Sequence, residues 1–447
     1  MRRRAAVGVA VLVLTLAGCG GVGSVGGGSG GGAGTGGLTT MGFGLPDEIA
    51  RTRVDLFKRE HPEVKLDIVE GSFDEQQFLS AVASGNPPDL VYLDRKLVGT
   101  YAKRGSILPM TDCVRDQGID LDQYRPAARE QVTLDGTLYG IPEFYSVRVV
   151  YLNEALLRQA GMTAADVDLS DWQGLVDLNA KLATVSDGKL TRIGIDPKIP
   201  EFLPMWARAN GAQLLSADGR SANLSDPKVV EALQTGLRLI QDQGGWGKFK
   251  SFRDTFDFFG AKSPLSQNQI AVWPMEDWFL NVAAKNTPDA ELVVKPFVDR
   301  QGRPLTLASG SAWVIPKGAK NPAAACTFAK TMTATATWVA AAKARVEARK
   351  SEGSPFTGLY TGNADADRQI FAEVYQPSGN KRFDDAVQTI LAVQQSAFSI
   401  PASPAGAEFD KVWTDAVNRV LSGQADPVTA LTRAQDEATA VLSRASK

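Results

Sequence analysis

The sequence predicts an α/β fold of two lobes, each built from separate parts of the chain, with a cleft between them. Three observations support this prediction. The 447 residues are too many for one ordinary core. The first part of the chain alternates strand and helix patterns, as a parallel sheet does. Residues 138–157, LYGIPEFYSVRVVYLNEALL, contain a strand pattern that carries the chain out of one lobe and into the next.

The amino end has the pattern of an export signal. Residues 1–4 are basic, residues 5–16 form an apolar run, and LAGC at 16–19 is a small-residue cleavage site ending in cysteine. The apolar run is shorter than the roughly 20 residues that span a bilayer, so residues 1–18 read as a removable signal peptide. LAGC resembles a bacterial lipobox, which implies lipidation of Cys19 and anchoring to a membrane. A chance LAGC in an alanine-rich chain is the alternative.

Residues 19–37 follow as a tether. From Gly20 onward the segment is nearly all glycine and serine and lacks the apolar surface needed to fold. A flexible chain of this length reaches about 20 to 25 Å.

Composition restricts the chemistry. The formal charge of −2, without a cluster of Lys and Arg interleaved with aromatics, gives no indication of a nucleic-acid partner. His61 is the single histidine and there is no CxxC motif, so the sequence offers no metal or haem ligand set and little for histidine-based catalysis. We expect Cys113 and Cys326 to be independent small core residues, with a disulfide between them as the alternative.

The first lobe begins as a βαβ pattern. Strands are predicted at 38–43, 64–69 and 89–93, with helices at 46–59 and 74–84 between them, which implies a parallel sheet. Asp94 and Arg95 end the third strand and Phe43 ends the first. Ligands bind at the carboxyl edge of such sheets, so these three residues are candidate contacts. The alternative for Asp94 is an N-cap.

The second lobe follows the crossing strand, in which Pro142 excludes helix before the β-branched run. Further strands are predicted at 193–195, 270–273, 291–297 and 308–315, and helices at 202–209, 226–241 and 276–284. The strand 308–315 returns the chain to the first lobe, and a loop-rich segment from 351 crosses again. The helices 365–374, 383–395 and 407–421 are expected on the second lobe. The predicted lobes are residues 38–143 with 309–350, and 144–308 with 351–447.

The order of several motifs resembles a known family. Four stretches carry the resemblance: SGNPPDLVYLD at 84–94, residues 135–162 with Tyr151 and Asn153, residues 310–316, and residues 401–423. Together they are similar to bacterial extracellular solute-binding proteins of ABC importers, in the branch of maltose-binding and other sugar-binding lipoproteins. The resemblance runs from Leu38 to the carboxyl end. It implies a type II periplasmic-binding-protein fold and a monomer that captures a carbohydrate by hinge closure, without catalysis or cofactor. It also implies delivery to a membrane permease from the extracytoplasmic face of the membrane.

Candidate ligand contacts are first of all aromatic, because a sugar ring stacks on Trp or Tyr. Trp278, in WPMEDW, stands where the resemblance implies a ring-stacking tryptophan. Trp206, Trp273 and Trp246 lie near strand ends or helix starts, and for each a core position is the alternative.

Polar candidates complete the set. Glu276 and Asp277 are able to accept hydroxyl hydrogen bonds, although first-turn carboxylates of a helix are the favoured alternative. Glu143, Tyr145 and Ser146 lie nearest the hinge, and Ser146 stands where the family pattern has a carboxylate.

The sequence leaves two other classes of function open. A glycan hydrolase needs two facing carboxylates, and adjacent Glu276 and Asp277 do not form such a pair. A binding protein for a polyamine, a glycerol-phosphate-type ligand or a peptide would keep the role and change the ligand.

Overall fold

The computed structural model describes residues 37–447. The predicted signal peptide, Cys19 and nearly all of the tether lie outside these residues. None of the described helices combines the length and the apolarity that a membrane span requires.

Fourteen strands are present in the described chain. In chain order they are Leu38–Met41 (β1), Leu66–Val69 (β2), Leu90–Asp94 (β3), Thr133–Leu134 (β4), Thr137–Leu138 (β5), Ile141–Pro142 (β6), Arg148–Asn153 (β7), Thr184–Ser186 (β8), Lys189–Ile195 (β9), Ile270–Glu276 (β10), Leu292–Pro296 (β11), Thr306–Leu307 (β12), Ser311–Val314 (β13) and Ala397–Phe398 (β14).

Seventeen α-helices accompany them within residues 37–447. They are Glu48–Glu60 (α1), Glu75–Ala83 (α2), Val98–Lys103 (α3), Thr111–Gln117 (α4), Pro126–Glu130 (α5), Glu154–Gln159 (α6), Trp172–Leu182 (α7), Ile199–Ala209 (α8), Pro227–Gln241 (α9), Trp246–Arg253 (α10), Phe279–Asn286 (α11), Pro322–Thr333 (α12), Thr335–Glu352 (α13), Ala364–Glu373 (α14), Lys381–Val393 (α15), Gly406–Leu421 (α16) and Pro427–Ser446 (α17).

The first lobe is built on a five-stranded sheet of order β2-β1-β3-β13-β6. Strand β1 pairs in parallel with β2 and β3, which confirms the predicted βαβ arrangement. Successive side chains of a strand point to opposite faces. Leu90 accordingly enters one hydrophobic cluster with Phe57 and Phe328, and Val91 enters the other with Phe78. The sheet is thus covered on both faces.

The second lobe is built on a sheet of order β11-β7-β10-β9-β8. Strand β7, the strand of the 138–157 stretch, is antiparallel to β10 and β11 and lies between them. All six of its residues are buried. Burial on both faces explains why this stretch reads as a continuous apolar run rather than an alternating one.

Three segments carry the chain between the sheets, and they lie side by side. The first crossing (143–147) joins β6 to β7, the second (308–310) joins β12 to β13, and the third (353–363) follows α13. Ser146 and Ser309 exchange backbone hydrogen bonds, each with N···O of 3.0 Å. The Gly362 amide donates to the Glu143 carbonyl.

Several predicted elements are corrected. Strand β10 continues to Glu276, so that residue is not in a helix, and α11 begins at Phe279. Helix α14 packs against α13, which itself packs on α1, and its buried Ala366 and Ile370 belong to the hydrophobic cluster that includes the second-lobe sheet. Helix α16 packs on α8 and also touches α3 of the first lobe. Helix α17 was not predicted from the sequence.

The expectation of independent cysteines is wrong. Cys113 on α4 and Cys326 on α12 form a disulfide that joins residues 213 positions apart. The sequence separation suggested independence, but the fold returns the chain to the first lobe after β13 and packs α12 against α4.

Candidate functional site

Several cavities lie between the two lobes of the described chain, and two of them together contain all the predicted site residues that line a cavity. The Trp278 chamber, of about 400 Å³, is lined by Asp47 and Arg345 from the first lobe, by Tyr145 and Ser146 of the first crossing, and by Trp278 from the second lobe. Its size falls in the range of small-molecule sites, which are commonly found at domain interfaces.

Trp278 has the exposure that a stacking surface needs. Its side chain is 37% exposed and stacks on Phe259, which is 69% exposed, with ring centroids 5.8 Å apart and planes 12° from parallel. Among residues 37–447 few large apolar side chains are exposed, and these two are in contact. An exposed apolar surface beside a chamber is typical of a binding site.

Asp277 and Ser146 form the polar part of the same chamber. The Ser146 hydroxyl donates to Asp277 Oδ1 at 2.8 Å, and the Trp278 amide donates to the same oxygen at 2.9 Å. The Asp277 side chain is buried, and burial raises its pKa to about 7. Asp277 therefore brings a carboxyl group to Ser146, the position where the family resemblance led us to expect a carboxylate.

Each of the cations that line the Trp278 chamber is bonded to a carboxylate. Arg345 bonds to Asp47, Lys285 lies 2.8 Å from Glu352, and Arg349 lies 2.8 Å from the same carboxylate. Arg345 also reaches Glu48. Three cations thus meet three carboxylates, and the chamber carries little net charge.

The second chamber, the Asp94 chamber, has a volume of about 180 Å³ and is lined by several charged side chains. Asp94 and Lys96 line it from the first lobe, Arg148 and Glu201 from the second, and Asp410 from α16. Lys96 forms an ion pair with Asp410 at 2.9 Å, which connects the first lobe to α16.

Asp94 is an N-cap, the alternative predicted for it, and it also lines a chamber, while its contact with a ligand stays a prediction. Its Oδ1 accepts from the Lys96 amide at 3.0 Å, as an N-cap of the short 3-10 helix Arg95–Leu97. Its side chain also lines the Asp94 chamber. The same carboxylate caps the helix and lines the chamber, because β3 ends at the carboxyl edge of the sheet and the 3-10 helix begins there.

Trp206 and Trp273 are core residues. Trp206 is 1% exposed and packs edge-on against Trp172 and Phe297, and Trp273 is fully buried against Phe279. The structure therefore removes both from the set of ligand contacts, in favour of the core alternative.

Arg95, Glu143 and Phe43 are also unavailable to a ligand. Arg95 is fully buried and donates to backbone carbonyls of the crossings, and Glu143 is fully buried with Oε1 2.6 Å from Arg53 Nη1. Phe43 packs against Tyr92 and Trp313. These three side chains are already engaged in contacts of the crossings and the core, because the crossings lie directly against the edge of the first-lobe sheet.

Of the three remaining candidates, one lines a chamber and two do not. Tyr145 lines the Trp278 chamber although it is buried, with the Arg125 guanidinium 5.1 Å from its ring centroid. Glu276 bonds to Lys198 at 3.4 Å and is not a first-turn carboxylate. Trp246 stacks on Phe249 at the start of α10 and lines neither chamber, so it leaves the candidate set.

Sequence reasoning did not single out Arg148, Glu201 and Lys96, which line the Asp94 chamber. Arg148 is the one charged residue inside the apolar run VRVVYL, and a charge in a buried strand signals a special role. Glu201 and Lys96 carry no comparable signal, because charged residues near helix starts are common on any surface.

The chain is similar to known proteins along most of its length. The family described as "Bacterial extracellular solute-binding protein" matches residues 52–348. The diacetylchitobiose binding protein DasA of Streptomyces coelicolor is 26% identical over 252 residues, which cover 53% of this chain and 56% of that protein. The arabinooligosaccharide-binding protein of Halalkalibacterium halodurans is 25% identical over 269 residues, covering 55% of this chain and 57% of that protein. The matched region spans little more than half the length of these relatives.

Solved structures share the fold over a longer region. CpMnBP1 with mannotriose bound superposes with a TM-score of 0.72 at 24% identity, covering 90% of this chain and 99% of that one. The maltose/maltodextrin-binding domain MalE of Bdellovibrio bacteriovorus, bound to maltotriose, gives a TM-score of 0.65 at 19% identity and covers 90% and 98%. These likenesses establish the predicted two-lobed α/β architecture.

Proposed function

Because this chain belongs to the family of bacterial extracellular solute-binding proteins, we propose that it captures a carbohydrate between its lobes and delivers it to the permease of an ABC importer. The observation that carries this proposal is the exposed Trp278–Phe259 stack beside a chamber lined from both lobes. Closure is driven by ligand contacts made to both lobes in the closed state. The protein acts as a monomer, and no bond of the ligand is broken.

The charge pattern favours a neutral ligand with many hydroxyl groups. The cations of the Trp278 chamber are already paired with carboxylates, so a phosphate ester meets no unmatched cation there. Within the described chain, the one lining carboxyl group without a cation is that of Asp277, whose pKa burial raises to about 7. Asp277 and Ser146 supply the directed polar contacts that hydroxyl groups need. The ligand ring would stack on Trp278 while its hydroxyls bond to this pair.

A thermal-shift screen tests the ligand class. Mannotriose, diacetylchitobiose, lactose and maltotriose represent sugars, with spermidine, glycerol phosphate and a short peptide as the competing classes. A bound ligand raises the apparent stability by mass action, by about 2.7 kcal/mol at a hundredfold excess over Kd. Stabilisation by spermidine, glycerol phosphate or the peptide alone would overturn the carbohydrate assignment.

Trp278→Ala is expected to weaken binding of the sugar that gives the largest shift at least tenfold, as loss of a stacking contact of about 1.4 kcal/mol requires. Isothermal titration calorimetry measures the change. Trp246→Ala is the matched control, because Trp246 lines neither chamber; its affinity should equal that of the wild type. Equal affinities of all three proteins across the sugar panel would refute the role of Trp278.

We further propose that lipid on Cys19 holds the protein on the extracytoplasmic face of the membrane, with residues 20–37 as the tether. Cys19→Ser is expected to move the protein from the membrane fraction to the soluble fraction of cells that export it, because one amino-terminal lipid group is then lost. Immunoblotting measures how much of the protein each fraction contains. A Cys19→Ser protein that stays with the membrane would contradict the anchor.

A further inference from the structure

Asp277 is a buried carboxyl group without a cation partner. Its side chain lines the Trp278 chamber but is only 1% exposed. The Ser146 hydroxyl and the Trp278 amide both donate to Oδ1, whereas Oδ2 has no hydrogen-bond partner among the described residues. Within residues 37–447 the ion pairs beside it are formed by Glu276, and none is formed by Asp277. The group therefore loses hydration on burial and gains no opposite charge in return.

The side chains around Asp277 do not supply the missing cation. From β7, the crossings and β10, the charged or titratable ones are Arg148, Tyr151, Tyr145, Tyr360 and Glu276. From α1, α11 and α13, those that line the same chamber are Asp47, Lys285, Arg345 and Arg349. Arg148 donates to the Leu307 carbonyl and to Ser309 Oγ, and the cations of α11 and α13 are bonded to other carboxylates.

The tyrosines near Asp277 stay neutral at physiological pH. Burial raises the pKa of Tyr145 to about 12 and raises those of Tyr151 and Tyr360 well above their usual range. Burial also raises the pKa of Asp277, to about 7, so this carboxyl group is divided between its two forms at neutral pH. Asp277 is thus the group of the Trp278 chamber whose charge changes in the physiological range.

A sugar hydroxyl bonded to Oδ2 would favour the ionised form of Asp277, because a carboxylate accepts a hydrogen bond more strongly than the neutral acid does. Binding then lowers the pKa of the group. A group whose pKa falls on binding contributes its full affinity above the pKa of the ligand-free protein, and this contribution is lost as the pH falls through that value.

We propose that Asp277 makes carbohydrate capture pH-dependent, since a sugar hydroxyl donates to Oδ2 of the ionised group and the affinity falls as the medium becomes acidic. The two donors to Oδ1 fix the orientation of the carboxyl group and leave Oδ2 as the oxygen that still lacks a donor. The inference rests on the proposed function, because it takes the Trp278 chamber to hold a sugar.

Isothermal titration calorimetry at several pH values tests the proposal, with whichever of mannotriose, diacetylchitobiose, lactose and maltotriose gives the largest thermal shift. The wild type is expected to bind about five- to tenfold more weakly at pH 6 than at pH 8, if the pKa of about 7 falls by about one to two units on binding. Heats measured at pH 7 in buffers of different ionisation enthalpy should show release of about half a proton for each sugar bound. An affinity that is constant over this range, or that rises as the pH falls, would overturn the proposal.

Three variants assign the pH dependence to a residue. Asp277→Asn keeps the shape of the side chain but cannot ionise, so its affinity should be equal at pH 6 and pH 8. Ser146→Ala covers failure of that variant to fold. It removes a donor that favours the ionised form, so the weakening should begin at a higher pH.

His61→Gln is the matched control. Histidine ordinarily changes its charge near neutral pH, and His61 is the only histidine of the chain. It lies at the end of α1, outside both chambers, so its replacement should leave the pH dependence of the wild type in place. A dependence that persists in Asp277→Asn, or that disappears in His61→Gln, would belong to another group and would overturn the proposal.

An NMR titration of the ligand-free full chain separates this proposal from the proposed function. The Trp278 amide donates to Asp277 Oδ1, so its chemical shift reports the charge of the carboxyl group. A midpoint at a pH of about 7 is expected in the wild type and should be absent in Asp277→Asn. A midpoint below about 5, near the ordinary range of aspartate, would overturn the proposal. Because no sugar is present, a failure of every sugar to bind would refute the proposed function without changing this titration.

Discussion

Arg53→Met is expected to lower the free energy of unfolding by about 3–5 kcal/mol, the cost of leaving a buried charge without its partner. Arg53 and Glu143 are both fully buried, and their ion pair is 2.6 Å long. Arg53 Nη1 also donates to the Met332 carbonyl at 3.1 Å, and the guanidinium carbon lies 4.0 Å from the Trp338 ring centroid. Burial already raises the pKa of Glu143, and removal of the guanidinium would raise it further.

Equilibrium unfolding in urea, followed by tryptophan fluorescence, measures this loss. Arg158→Met is the matched control, because its ion pair with Glu291 is on the surface and should contribute at most about 1 kcal/mol. The double variant Arg53→Met with Glu143→Leu should recover most of the stability, since apolar pairs often replace buried ion pairs without loss. A loss no larger than that of Arg158→Met would show that the pair does not stabilise the fold.

Removal of the disulfide is expected to lower the free energy of unfolding by about 2–5 kcal/mol. The bond between Cys113 and Cys326 closes a loop of 213 residues, which contains the first crossing, the sheet of the second lobe and β13. In the chain-entropy account, a longer closed loop restricts the unfolded chain more. Cys326 is buried and Cys113 packs against the same cluster, so serine at both positions also costs some packing.

The double variant Cys113→Ser with Cys326→Ser is compared with the wild type in urea, each with and without reductant. Reductant should weaken the wild type to about the level of the variant and leave the variant unchanged. A wild type that is insensitive to reductant after full reduction, as verified by thiol titration, would show that the bond adds no stability.

Local pattern was sufficient for the βαβ part of the first lobe. The strands β1, β2 and β3 alternate with α1 and α2 as predicted, because period-2 and period-3.6 spacing of apolar residues is a local property. The end of β10 was misread because Pro274 was taken as a strand terminus, whereas Pro274 lies opposite Val150 in the sheet. Proline is confined to unpaired edges of a sheet because it cannot donate to the ladder, and Pro274 lies beyond Val272, the last residue of β10 that pairs with β9.

The candidate site was predictable only in part. Trp278, Asp277, Ser146, Tyr145 and Asp94 do line chambers between the lobes. Trp206, Trp273, Arg95, Glu143 and Phe43 share the residue types of a sugar site but are buried. Burial depends on contacts between distant segments, such as that of Arg53 with the Met332 carbonyl, 279 residues away, and no local window contains them.

The sequence by itself determined the two-lobed α/β architecture, the strand that first crosses between the lobes, and the family, since these depend on local periodicity and on the order of motifs. The tertiary structure alone decided the disulfide, the burial of Arg95 and Glu143 in the hinge, and the contact of Asp277 with Ser146. The physical reason is the same in each case. The energy of these groups depends on which distant segment supplies the partner, and only the folded chain fixes that choice.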